Sequence, residues 1–182
     1  MNKKAMRSLL TSSLVIAALG LSACGSSSTS ASSTTSTTTT TGGPVMTLQL
    51  KAPLSSASKN LHSVGTATQY GWNQLVGTST NYGESIGVEI LGNVAYTNGA
   101  GPFFGFVTYT WPDGSTIGVR MSGRAVPGAN GTTSFSAPLN VLGGTGRYGA
   151  VKGTGLFTGS RSGVVGSPVE STFTLHITNP TN

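Results

Sequence analysis

Apolar and polar residues alternate most regularly near the end of the chain. In residues 171–178, Phe173, Leu175 and Ile177 fall on one face, while His176 and the threonines fall on the other. A period of two is typical of a strand with one buried face. We therefore predict a half-buried strand here, with His176 facing solvent.

A hairpin is the next clearest element of the pattern. Residues 103–111 predict a strand rich in aromatic residues, and the Pro-Asp-Gly sequence at 112–114 supplies a tight turn. The apolar residues of 116–122 then share one face. We expect these two segments to pair as neighbouring antiparallel strands.

Weaker strand patterns occupy much of the rest of the second half and part of the first. They cover residues 46–52, 64–70, 84–91, 94–97, 132–141 and 151–159. Beyond the N-terminal leader, apolar residues never keep a 3.6-residue period for more than about two turns. Many short strands separated by turn signals predict an all-β sandwich or barrel, and glycines inside the strands favour a small closed barrel.

The N-terminal region has a different pattern and predicts a signal peptide over residues 1–23. Lys3, Lys4 and Arg7 precede an apolar run that is too short for a permanent membrane span. The following Cys24 is the only cysteine, and Leu-Ser-Ala-Cys at 21–24 resembles a bacterial lipobox. The alternative is a plain signal peptide cleaved near an incidental cysteine. Since an unpaired thiol is unusual in an exported protein, we predict lipidation of Cys24 and anchorage to the membrane.

A tether follows the predicted lipidation site. From Cys24 to residue 43 the chain is almost entirely Ser and Thr and carries no charge or aromatic ring. Such a segment cannot bury enough apolar surface to fold, so we predict a disordered linker of roughly 25 Å end-to-end distance. An O-glycosylated stalk has the same composition and stays an alternative. The folded domain is then 44–182.

The predicted address is the cell envelope. Gly25 follows the cysteine where an aspartate would favour retention at the inner membrane, so the outer membrane is favoured in a diderm bacterium. The barrel would then lie in the periplasm or at the cell surface.

The distribution of charge does not favour nucleic acid as a partner. Seven basic and four acidic residues follow Cys24, a net charge of +3, and the basic residues form no run or stripe. The sequence therefore offers no electrostatic case for nucleic-acid binding. It also contains no spacing typical of a metal site, no nucleophile elbow and no Ser/His/Asp arrangement, and we predict no cofactor.

A glycine-rich segment matches the spacing of a nucleotide-binding motif. Gly144, Gly146 and Gly149 match G-x-G-x-x-G, but a β-branched, glycine-spaced stretch follows instead of the helix that would hold a pyrophosphate. We interpret Gly143, Gly144, Gly146 and Gly149 as a structural glycine turn before a strand.

The same segment carries a family resemblance. Residues 143–155 resemble the late glycine-rich turn and strand of the allene oxide cyclase and dirigent barrels, and the hairpin over 101–114 is similar to bacterial proteins with such barrels. The resemblance implies an eight-stranded antiparallel barrel with a hydrophobic cavity, often assembled as a dimer or trimer. The acidic residues that those families use for chemistry have no clear counterpart in this chain.

Four charged residues on predicted strands are the candidate ligand-binding groups. Glu84 shares a face with the apolar residues of its strand and Glu89 points the opposite way, while Arg120 lies opposite its apolar neighbours and Arg124 is a further possible partner for the acids. A charge facing the inside of a barrel must find a partner or mark a pocket. A buried pair between one of these acids and one of these arginines is one hypothesis, and four solvated surface charges are the other.

Two functions fit these observations. The first is a non-catalytic barrel, displayed on the envelope, that binds a small apolar ligand or a partner protein. The second is an isomerase of the allene oxide cyclase or dirigent type that steers a reactive intermediate in the barrel. The second requires a cavity with Glu84 or Glu89 inside it.

Overall fold

The computed structural model describes residues 43–178. The predicted signal peptide, the lipidation site Cys24 and the tether up to residue 42 lie outside the described residues. The eight strands are β1 Val45–Val64, β2 Thr68–Asn81, β3 Glu84–Thr97, β4 Gly101–Thr110, β5 Thr116–Pro127, β6 Thr132–Gly144, β7 Lys152–Ser162 and β8 Val169–Thr178.

The strands form one closed sheet. Each strand pairs antiparallel with the next along the chain, and β8 returns to pair with β1, from Val45 opposite Thr178 to Leu54 opposite Val169. The prediction of an all-β, eight-stranded antiparallel barrel is therefore confirmed. The only helical turns among residues 43–178 are two short 3-10 turns, Ala129–Gly131 and Gly146–Tyr148.

Strand assignments were most accurate where alternation is strong. The predicted hairpin is β4 and β5, and the predicted last strand lies within β8, where Phe173, Leu175 and Ile177 are fully buried and His176 is exposed.

The prediction of a single strand over 64–70 is wrong, because β1 ends at Val64, a turn occupies residues 65–67 and β2 starts at Thr68. Residues 84–91 and 94–97 belong to a single strand, β3. Most of β2 was missed, because its inward positions include Gly71, Asn73 and Gly77, which hide the apolar alternation.

The barrel has two distinct ends. The turns after β2, β4 and β6 lie at one end together with Trp111, and the turns after β1, β3, β5 and β7 lie at the other together with Arg161. We call these the Trp111 end and the Arg161 end. Both Val45 and Thr178 lie at the Trp111 end, since they pair with each other and Thr178 also pairs with Lys152, the first residue of β7.

The interior is filled mainly by large apolar side chains from the inward face of each strand. Phe157 stacks on Phe173 with ring centroids 5.1 Å apart, and Phe103 and Tyr109 make edge-to-face contacts with these rings. Offset and edge-to-face aromatic packing adds to the stability that burial provides. Most of the barrel is thus a solid core.

One part of the wall is completed by a loop. β1 pairs with β8 only as far as Leu54 and continues beyond it with β2 alone. Beside this gap, Val165 of the loop 163–168 packs against the core, and Val165, Gly166 and Ser167 face the interior space. The barrel wall at the Arg161 end therefore depends on a loop as well as on strands.

A buried hydroxyl leads to a test of the core. The Oη of Tyr109 is buried and has no hydrogen-bond partner. Since an unsatisfied buried hydroxyl costs free energy, Tyr109→Phe should raise the free energy of unfolding by about 1 kcal/mol in urea denaturation. Tyr70→Phe, at a side chain that is 53% exposed, is the control and should change nothing. A loss of stability in Tyr109→Phe would contradict the prediction and indicate a buried water on this hydroxyl.

Candidate functional site

The Trp111 end is sealed by a cluster around Arg147. Its guanidinium lies 5.3 Å from the Tyr148 ring and 5.7 Å from the Trp111 ring, and these rings are 4.4 Å apart. It donates two hydrogen bonds to Glu84, at 2.6 and 3.3 Å, and lies 3.6 Å from the Asp113 carboxylate. The cluster joins three turns and leaves Arg147 with acidic partners, so we assign it a structural role.

Glycine is required at one position of this cluster. Gly146 has a positive φ of 56°, and a Cβ there would lie 2.3 Å from the Ser115 Oγ. That hydroxyl accepts a hydrogen bond from the Arg147 amide and donates one to Asp113. The glycine segment therefore forms the end of β6 and a 3-10 turn. No helix follows it, since β7 starts at Lys152, and this agrees with a structural turn rather than a nucleotide site.

The Arg161 end contains a cavity of about 60 Å³ inside the barrel. Its walls are inward-facing residues of the strands together with the loop 163–168. The apolar lining includes Leu75, Ile90, Phe103, Met121 and Phe157, and the polar lining includes Asn73, Tyr96 and Arg161. A mainly apolar hollow with a few fixed polar groups has the composition of a small-molecule site.

Arg161 is the most unusual of these residues. It is the second-to-last residue of β7 and shares the inward parity of Phe157, so its side chain is only 5% exposed. Its Nη2 donates to the Gly99 carbonyl at 3.1 Å and to the Thr133 Oγ1 at 3.3 Å. Its Nε is buried without a partner, and within residues 43–178 no carboxylate pairs with it.

Two further polar groups are held in the cavity wall. Burial raises the pKa of Tyr96 to about 12, so its hydroxyl stays protonated, while the positive charge of Arg161 opposes that rise. Asn73 is held by a hydrogen bond of 2.6 Å from the Ser56 Oγ to its Oδ1. Burial lowers the pKa of Arg161 from its ordinary value, as expected for a cation removed from water.

A second depression lies beside the cavity, between the turns at the Arg161 end. This outer hollow has a volume of about 630 Å³ and a mixed lining, in which the polar residues include Thr66, Gln69, Asn98 and Thr133. Arg161 and Val165 line both spaces. Arg161 therefore lies between a mainly apolar interior and an outer hollow with more polar groups.

None of the four charged residues singled out in the sequence lines the cavity. Glu84 is the first residue of β3, so it lies at the barrel rim with its side chain 43% exposed. Glu89 lies on the outer face, where its Oε1 accepts a hydrogen bond from Gln74. Arg120 and Arg124 are exposed on β5.

The hypothesis of a buried ion pair among these four residues is wrong. Glu84 pairs instead with Arg147, at the surface. Both arginines and Glu89 have the parity of the outer face, and only Glu84 shares the parity of the core. The version of the isomerase hypothesis that places Glu84 or Glu89 inside the cavity is therefore dropped.

Sequence reasoning missed Arg161 as a site residue. The usable signal was alternation, because Arg161 lies four residues after the inward-facing Phe157 on a predicted strand. The intervening Gly159 breaks the apolar pattern, and the predicted strand stopped there. The strand continues to Ser162 and carries the arginine inward.

The outer face of β2, β3 and β4 carries large apolar side chains. Trp72, Leu91, Phe104 and Phe106 are between 40% and 51% exposed, and the register places Leu91 directly opposite Phe106. A contiguous exposed apolar surface often marks an interface. The expectation of a dimer or trimer stays a prediction, and this face is the place to examine it.

Residues 43–178 contain no group of three His, Cys, Asp or Glu side chains placed to hold a metal ion. Within the same residues, no helix has the length and apolar character needed to cross a membrane.

No protein-family model and no curated protein sequence matches this chain. Among solved structures, two pterocarpan synthase dirigent proteins are similar in fold. The first is 12% identical with a TM-score of 0.46, covering 76% of this chain and 87% of that protein. The second is 10% identical with a TM-score of 0.47, covering 78% and 99%. Similarities at this level say nothing about the function of this chain.

The cluster at the Trp111 end predicts a pH-dependent stability. The Ser115 amide, then its hydroxyl and the Arg147 guanidinium, lower the pKa of the Asp113 carboxyl. A lowered pKa stabilises the fold above the unfolded-state value of about 3.9, and this contribution is lost as the pH falls through the lower folded value. Melting temperatures at pH 6 and pH 2.5 should therefore differ less in Asp113→Asn than in the native chain.

The matched control for this prediction is Glu170→Gln, at an exposed carboxylate on the outer face of β8. This variant should keep the pH dependence of the native chain. An unchanged pH dependence in Asp113→Asn would show that the cluster does not stabilise the fold through this carboxylate.

Proposed function

We propose that this chain is a non-catalytic binding protein whose barrel takes a small, mainly apolar ligand at the Arg161 end. The observation that supports this most directly is the cavity itself, an apolar hollow in which Asn73, Tyr96 and Arg161 are fixed by burial and hydrogen bonds. Fixed polar groups in an apolar wall orient a ligand without the cost of ordering flexible side chains.

The size of the cavity limits what enters it. A space of about 60 Å³ accepts only a small apolar group, whereas sites for whole organic ligands span roughly 300–1,000 Å³. The adjoining outer hollow supplies more room, and the loop 163–168 borders both spaces. We infer that a ligand enters from the outer hollow and that this loop moves to admit its apolar part.

The proposed place of action is the cell envelope, with the protein held by a lipid on Cys24. Val45 starts β1 at the Trp111 end, so a tether preceding it joins the barrel opposite the cavity. This arrangement suits a protein that collects a ligand near a membrane.

A steering function is the second candidate for the same cavity. It is favoured by the placement of Tyr96 and Arg161, two buried polar groups in a mostly apolar cavity. A binding protein releases its ligand unchanged, whereas a steering barrel alters the products of a reaction that occurs without it. Mass spectrometry of the recovered ligand distinguishes the two.

Filling the cavity tests the binding function. Gly92 lies on the inward face of β3, and a Cβ there meets its nearest neighbour at 3.6 Å, an ordinary van der Waals distance. Gly92→Leu should place its branched end in the cavity and weaken calorimetric binding of 1-octanol at least about tenfold, while the fold is kept.

Gly87→Leu is the matched control. Gly87 lies on the outer face of the same strand, and a Cβ there has its nearest neighbour at 3.7 Å. The affinity of the Gly87→Leu variant for 1-octanol should equal that of the native chain. Equal binding in Gly92→Leu and Gly87→Leu would place the ligand outside the barrel and reject the proposed site.

Removal of the cysteine tests the proposed attachment. Cys24→Ser deletes the only sulfur that a lipid could modify at this site, so the exported protein should move from the membrane fraction to the soluble fraction and lose the mass of the acyl groups. Ser28→Ala, within the tether, should stay in the membrane fraction. Retention of Cys24→Ser in membranes would reject lipidation at this residue.

A further inference from the structure

We propose that the ligand of this cavity is an amphipathic carboxylate whose charged group is held by Arg161. This inference rests on the proposed binding function and extends it by naming the class of ligand. It is carried by a charge that the described chain leaves uncompensated.

Burial of an unpaired cation is unfavourable. Arg161 is 5% exposed, and the acids among residues 43–178 lie elsewhere: Glu84 and Asp113 pair with Arg147, Glu89 binds Gln74, and Glu170 is exposed on β8. Buried charges in proteins are normally paired, because removal from water is costly. A ligand that brings the missing negative charge would complete the site.

The hydrogen bonds of the guanidinium leave one of its nitrogens without an acceptor. Nη2 donates to Gly99 and Thr133, and the guanidinium lies 5.3 Å from the centre of the Phe135 ring. Nε is the buried nitrogen without an acceptor. An incoming carboxylate oxygen would provide that acceptor through a charge-assisted hydrogen bond.

The position of Arg161 also fits an amphipathic shape. On one side lies the apolar cavity, with Leu75, Ile90 and Met121 in its wall, and on the other lies the outer hollow, whose lining contains more polar groups. A ligand with an apolar tail and a charged end would satisfy both sides at once. A monoanion matches the single positive charge, whereas a phosphate monoester would bring a second negative charge without a partner.

A comparison of two probes tests this assignment. Octanoate and 1-octanol have the same chain length and differ in the charge of the end group. They should be titrated by calorimetry at pH 7.5 into the full chain carrying Cys24→Ser, which removes the proposed acylation site. Octanoate should bind at least about tenfold more tightly than 1-octanol, because only octanoate pairs with the guanidinium.

Arg161→Met should remove this preference. It should weaken octanoate binding at least about tenfold and change the affinity for 1-octanol less than about twofold. Arg124→Met, at an exposed arginine on β5, is the control and should keep the native preference for octanoate. A native chain that binds the two probes equally would overturn the carboxylate assignment and leave the proposed binding function standing. Binding of neither probe would overturn both.

Thermal stability supplies an independent readout. If Arg161 serves ligand binding and not the stability of the fold, its buried charge is unfavourable in the empty barrel. Arg161→Met should then melt at the same temperature as the native chain or higher. Saturating octanoate should raise the melting temperature of the native chain more than that of Arg161→Met. A fall of more than about 10 °C in Arg161→Met would show that the arginine serves the fold and would overturn the proposal.

Discussion

The pairing of β1 with β8 closes eight strands into one barrel, and the rest of the structure depends on this closure. A closed sheet offers each residue of a strand only two environments, the interior and the outer surface. Because successive residues point to opposite sides, the position of a charged residue within its strand decides whether the charge is hydrated or buried. The interior can be reached only from the ends, or where the wall is incomplete. Because β1 leaves β8 after Leu54, the incomplete part lies at the Arg161 end.

The two ends of the barrel each contain an arginine, and the environments of these two arginines are opposite. At the Trp111 end, Arg147 is 41% exposed, bonds Glu84 and lies near Asp113, and it covers aromatic rings that seal the core. At the other end, Arg161 is buried beside a cavity, and its acceptors are a carbonyl and a hydroxyl. In the first arrangement the positive charge has carboxylate partners. In the second, the described chain supplies no carboxylate for the positive charge, and we place the site there for this reason.

Much of the fold was predictable because strand alternation is a local property. In β8 and in the β4–β5 hairpin, apolar residues fill most inward positions, and the predicted strands agree with the structure. β2 was mostly missed, since Gly71 and Gly77 occupy inward positions where neighbouring backbone leaves no room for a side chain. Polar and exposed residues dominate the second half of β1, so its length depended on pairing with β2.

The candidate site was less predictable than the fold. Glu84, Glu89, Arg120 and Arg124 were chosen as charges on strands with clear apolar patterns. Such patterns tell which side of a strand a charge occupies, but they do not tell which strands meet around a cavity. Arg161 was overlooked because its strand was predicted to end at Gly159.

By itself, the sequence determined the class of fold, since alternation, turn residues and strand glycines act over a few neighbouring positions. It also predicted the attachment at Cys24, which depends on a short contiguous motif. Only the tertiary structure decided which charges have partners. Arg147 and Glu84 are 63 residues apart, and Arg161 and Gly99 are 62 apart. Electrostatic compensation depends on distance in space, and closure of the barrel sets that distance.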